Sequence, residues 1–60
     1  MLNARARRIL QDLGHETTQK ILFDKLEYFG FPWEEARPIL RADNQFRFIN
    51  MRVALKEETP

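Results

Sequence analysis

Apolar residues in the first half of the chain recur at helical spacing. Leu2, Ala6, Ile9, Leu10 and Leu13 follow an i, i+4, i+7, i+8 pattern with Asn3 as a capping residue and Gly14 as a stop, which predicts a first helix. Arg8 and Asp12 are spaced as an i, i+4 pair on its outer face. A second stripe of Ile21, Leu22, Leu26 and Phe29 opposes Lys20, Asp24 and Glu27. This helix begins at Thr17 or Thr18, whose hydroxyls suit an N-cap, and ends at Gly30. Phe23 and Tyr28 fall off the stripe, so each widens the buried face or faces a partner.

The pattern is less regular after Gly30. Pro32 suits the start of a third helix, and Glu34 and Glu35 fall in its first turn, where the helix dipole favours negative charge. Pro38 lacks an N–H and its ring collides with the preceding turn, so it kinks this helix or marks a later start. Asp43-Asn44 reads as a turn. From Gln45 onward two periods compete: Phe46, Ile49 and Val53 fit a helix, whereas Ile49, Met51, Val53 and Leu55 alternate as in a strand. A lone strand has no evident pairing partner unless residues 39–42 form a hairpin with 45–48, so a helix is the expectation.

These elements predict an all-α fold, a small bundle of three to four short helices in a single domain over residues 1–60, with 57–60 as a frayed tail. The expected core is Ile9, Leu10, Leu13, Ile21, Leu22, Leu26, Phe29, Ile39, Leu40, Ile49 and Val53. Sixty residues bury only about 60% of the unfolded surface, which leaves little room for a deep substrate pocket. With no cysteine, neither a disulfide nor a thiolate zinc site supplements that core. The longest apolar run, Ile21-Leu22-Phe23, is far too short to span a bilayer, so a soluble, cytoplasmic protein with no membrane association is expected.

Net charge is only +1, but it is unevenly placed. Residues 1–15 carry +2, residues 16–35 carry −3, and residues 36–60 hold five basic groups against three acidic ones.

The inventory argues against catalysis. Serine and cysteine are absent, and the three threonines fall at a helix cap (Thr17, Thr18) or in the tail (Thr59), so no activated nucleophile can be assembled. His15 is the only histidine; Asp12 and Glu16 are close in sequence, but its place at a helix end suits a capping or solvent role. No carboxylate spacing resembles a zinc or calcium site, and two glycines do not build a phosphate loop. The expectation is a protein that is not an enzyme and has no cofactor and no metal.

Binding is the remaining class. Seven aromatics in 60 residues exceed what so small a core easily buries, and Tyr28, Phe29, Phe31 and Trp33 cluster at the bend around Gly30. From Lys20 to Leu55 the chain resembles a ubiquitin-associated (UBA) domain: a helix, the bend Phe29-Gly30-Phe31, acidic residues and Ala36, then Leu40, Ala42, Asn44 and a third helix. That resemblance implies a three-helix bundle, here with an extra N-terminal helix, and a patch of Phe29, Gly30, Phe31 and the neighbourhood of Ala54 and Leu55 that binds ubiquitin or another protein. Pro38, Asn50 and the extra helix depart from the pattern. The expected partner-binding residues are Tyr28, Phe29, Gly30, Phe31, Trp33 and Leu55, in a small interaction module or regulator that can also pair as a homodimer. The alternative is a helix-turn-helix DNA-binding regulator, with Trp33 to Arg41 as the recognition helix, Arg37 and Arg41 facing the nucleic acid, and Arg5, Arg7 and Arg8 as a basic arm. Glu34, Glu35 and Pro38 stand against it.

Overall fold

The computed structural model describes residues 1–56. Its elements are α1 (Leu2–Asp12), β1 (Glu16–Thr18), α2 (Gln19–Tyr28), α3 (Trp33–Arg41), β2 (Phe46–Ile49) and β3 (Arg52–Leu55). The predicted tail, residues 57–60, lies outside the described residues.

The fold is mixed α/β, which overturns the expected all-α, UBA-like bundle. Residues 46–55 form an antiparallel hairpin rather than a helix, and the missing pairing partner is β1, contributed by a segment read only as a helix cap. The three strands are ordered β1-β3-β2, so the last strand is central.

Both helix ends expected at glycines use the same capping arrangement. After α1, the N–H of His15 reaches the carbonyl of Leu10 (2.6 Å) and that of Gly14 reaches Gln11 (3.3 Å). After α2, Phe31 N–H reaches Leu26 (2.9 Å) and Gly30 N–H reaches Glu27 (3.0 Å). These are Schellman closures, which require a left-handed residue; Gly14 and Gly30 have φ of +85° and +94°. Thr18 is the N-cap of α2, its hydroxyl accepting from Ile21 N–H at 3.2 Å. Helix α3 continues through Pro38, which sits on the exposed side. Pro38 donates no N–H to the Glu34 carbonyl one turn back, and both residues are exposed to solvent.

Strand alternation settles the faces of the sheet. Thr17, Phe46, Phe48, Val53 and Leu55 point toward the helices, whereas Glu16, Thr18, Arg47, Ile49, Arg52 and Ala54 line the open face. The buried core is Ala6, Ile9, Leu10, Leu22, Phe23, Leu26, Ala36, Leu40, Phe46 and Val53. Phe23, off the predicted stripe, is its hub: the ring lies 5.1 Å from Trp33 and 6.2 Å from Phe48. Leu13, Ile21, Phe29, Ile39 and Ile49, all expected inside, are 40–52% exposed. The reason is the sheet, which draws the Leu22-Phe23-Leu26 side of α2 inward and rotates Ile21 and Phe29 toward solvent.

Polar ties hold the periphery. The Gln19 side chain donates to the carbonyls of Asn50 (2.9 Å) and Arg52 (3.1 Å), and its backbone N–H to Met51 (2.8 Å), which pins the hairpin turn to the start of α2. Asn3 donates to Asp43 and Arg7 to Gln45, which fasten α1 to the α3–β2 connection. Helices α2 and α3 are joined by four residues, 29–32, and are followed by the β2–β3 hairpin. No helix among the described residues is long and apolar enough to cross a membrane.

Candidate interaction surfaces

The residues expected at the bend separate into two groups. Tyr28 is 85% exposed and packs edge-on against Phe29, ring centroids 5.4 Å apart, with the Arg5 guanidinium 4.2 Å from the Phe29 ring. Phe31 and Trp33 instead turn inward and pack on the core, as does Leu55, which pairs with Phe46 in the sheet. Gly30 serves the backbone closure between them. The exposed corner therefore consists of Tyr28 and Phe29, supported by α1.

The cations fall into paired and unpaired sets. Arg8 pairs with Asp12 (3.3 Å), Lys20 with Asp24 (2.8 Å), and Arg52 with Glu16 across the open sheet face (2.6 Å). The hydrogen bond from Lys20, more than any other cause, holds the Asp24 carboxyl below its ordinary pKa; the same bond raises that of Lys20. Arg37 and Arg41 lie one turn apart on α3, and the Arg41 guanidinium sits 5.5 Å from the ring centroid of Phe48, so this side of α3 flanks β2. Arg47 stands on the opposite face of that edge strand. Among the described residues, Arg37, Arg41 and Arg47 make no ion pair.

The arginines expected to form an arm are distributed around α1: Arg5 over Phe29, Arg7 on Gln45 and Arg8 on Asp12. Glu34 and Glu35 occupy the first turn of α3, exposed and without an ion pair among the described residues. Arg47 was missed by sequence reasoning because its segment was assigned to a helix; the alternation of Phe46 and Phe48 about it was the available signal.

His15 bridges α1 and β1 with φ +73°, its carbonyl accepting from Leu55 N–H at 2.9 Å. Among the described residues no three His, Cys, Asp or Glu converge as a metal-ligand set. A groove on the open sheet face is lined by Glu16, Arg47, Ile49, Arg52 and Ala54, and it holds no pairing of acid, base and nucleophile. Compared with known proteins, the chain matches no family model, no curated protein and no solved structure.

Proposed function

We propose that this protein is a non-enzymatic module that binds duplex DNA through α3 and the β2–β3 hairpin. The observation that carries this reading is the set of unpaired arginines, Arg37, Arg41 and Arg47, on the second helix of a helix-turn-helix and the strand beside it. The other cations near carboxylates are already neutralised; these three are available to phosphates, the principal source of affinity for DNA. Glu34 and Glu35 repel the backbone at the N-terminal end of α3, so contact runs along its C-terminal half and the hairpin. In the major groove a carboxylate finds its match in the cytosine amino group.

The test is fluorescence anisotropy of a labelled mixed-sequence duplex at low salt. Binding with a dissociation constant of about 10⁻⁴ to 10⁻⁶ M is expected for the wild type. The combined substitution of Arg37, Arg41 and Arg47 by Ala should abolish it. No binding at about 100 µM protein, or equal binding by the triple variant, overturns the proposal.

A second reading, protein contact at the Tyr28–Phe29 corner, is favoured by one observation. Tyr28 is 85% exposed beside a half-exposed Phe29, and such aromatics are common interface anchors. Ubiquitin is the first probe, read by amide shifts at Tyr28 and Phe29 in an NMR titration. Unchanged spectra would remove ubiquitin from consideration as the partner.

A further inference from the structure

We propose that the outer edge of β2 docks an extended acidic peptide, which adds as a fourth strand beside Phe48 with carboxylates set against Arg47 on the open sheet face and Arg41 on the helix side.

The phase of the hairpin ladder decides which backbone groups are left for a partner. Lys56 N–H donates to the Gln45 carbonyl at 2.7 Å, and hydrogen-bonded pairs alternate with non-bonded ones along an antiparallel ladder. Arg47–Ala54 and Ile49–Arg52 are therefore bonded pairs, whereas Phe46 and Phe48, opposite Leu55 and Val53, turn their backbone groups away from β3. The Phe46 N–H is taken by the Asp43 carbonyl at 3.1 Å. The Phe46 carbonyl and both the N–H and the carbonyl of Phe48 have no hydrogen-bond partner among the described residues, and β2 is an edge strand. Such groups are what a peptide uses when it adds to a sheet.

Charge selects the occupant. Arg47 stands on the open face of this edge, and the Arg41 guanidinium lies on the other side, 5.5 Å from the Phe48 ring centroid. Neither makes an ion pair among the described residues. The neighbouring carboxylates are engaged elsewhere: Asp43 accepts from Asn3 and from Gln45 N–H, and Glu16 pairs with Arg52. Glu34 and Glu35 lie at the other end of α3. Successive residues of an added strand point to opposite faces, so two adjacent acidic residues meet Arg47 and Arg41 together. A second copy pairing through the same edge would instead bring its own Arg41 and Arg47 against these, and like charges across a ladder are destabilising.

The edge is short, so docking is weak, with a dissociation constant on the order of 10⁻³ M. It stands on the Phe48 backbone, which DNA binding does not require. Arg41 and Arg47 are common to both, so a duplex and a peptide would compete.

A proton–nitrogen NMR titration tests it, with a blocked hexapeptide of two adjacent glutamates flanked by valine and threonine, taken to about 5 mM at low salt. The Phe48 amide should move downfield and exchange more slowly, with Arg47 and Ile49 shifting beside it. The same peptide methylated at both glutamate nitrogens keeps its charge but loses donors to the ladder, and it should bind at least tenfold more weakly. Arg47→Glu and Arg41→Glu, both at exposed positions, should weaken docking to a similar degree with unchanged circular dichroism. An unmoved Phe48 amide or equal binding by the methylated peptide overturns the proposal. So does a Phe48 shift that follows protein concentration without peptide, the mark of two copies pairing. Duplex binding measured in parallel separates the readings: a duplex that binds while the peptide leaves Phe48 unmoved overturns the docking alone, and peptide docking without duplex binding overturns the DNA reading alone.

Discussion

The Arg41 guanidinium lies 5.5 Å from the centroid of the Phe48 ring and couples the last turn of α3 to the edge strand of the hairpin. Phe48 in turn stacks on Phe23, the hub of the core. A cation on the candidate DNA-facing side is thus braced by the same aromatic series that holds the fold, and part of its side-chain freedom is already lost before any ligand arrives.

Salt dependence separates the arginines. Arg37→Ala, Arg41→Ala and Arg47→Ala should each reduce the slope of log affinity against log salt by about one, in anisotropy titrations across a salt series. Arg52→Ala should change the slope far less, because Arg52 is already committed to Glu16.

The inward and outward aromatics should differ sharply in stability. Trp33→Ala removes a ring packed 5.1 Å from Phe23 and should cost about 3 kcal/mol in urea unfolding. Tyr28→Ala should change stability by no more than about 0.5 kcal/mol. Equal losses would show that the corner belongs to the core.

Acid should loosen the tie between α1 and the α3–β2 connection. The backbone N–H of Gln45 and then the Asn3 side chain hold the Asp43 carboxyl below its ordinary pKa of 3.8. A depressed folded-state value means the contribution is present above the unfolded value and is lost as pH falls through the folded one. Stability followed by urea midpoint should therefore drop below about pH 4. Asp43→Asn should show a shallower acid limb, with Asp24 accounting for part of what remains.

Backbone closure after α2 depends on Gly30. An added Cβ meets no atom within 4 Å, so Gly30→Ala tests the left-handed conformation alone. A loss of about 1 kcal/mol is expected, with Gly30→Asn less costly. Thr18→Ala, which deletes the cap on Ile21, should cost about 1 kcal/mol as well, read by the same unfolding curves.

The first two helices were legible because each carries its own periodic stripe and stop signal, and the third from its start signals alone: Gly14, Thr18, Gly30 and Pro32 do in the structure what their chemistry predicts, whereas Asn3, expected as a cap, lies inside α1. The sheet was not, because it is built from pairings far apart in sequence. Glu16 to Thr18 is three residues long, too short for an alternation to register, and its partner begins at Arg52. The hairpin turns at Asn50-Met51, with Asn50 at φ +55°, and lacks the glycine that usually announces such a turn. The same blind spot misplaced Ile21, Phe29 and Phe23, since the side of α2 that is buried depends on a sheet no local pattern announces. It also hid Arg47, whereas Tyr28 and Phe29 were visible as an aromatic excess at a bend.

Because β3 is the central strand and follows both of its partners in sequence, translation delivers the keystone after everything it joins. All three helices are synthesised before the Val53 that joins Leu22 and Phe23 in the core, and among the described residues neither β1 nor β2 has another strand to pair with in the meantime. Until β3 is in place the apolar side of the helices lacks its cover, and loss of residues 52–55 would remove the sheet as a whole rather than its margin.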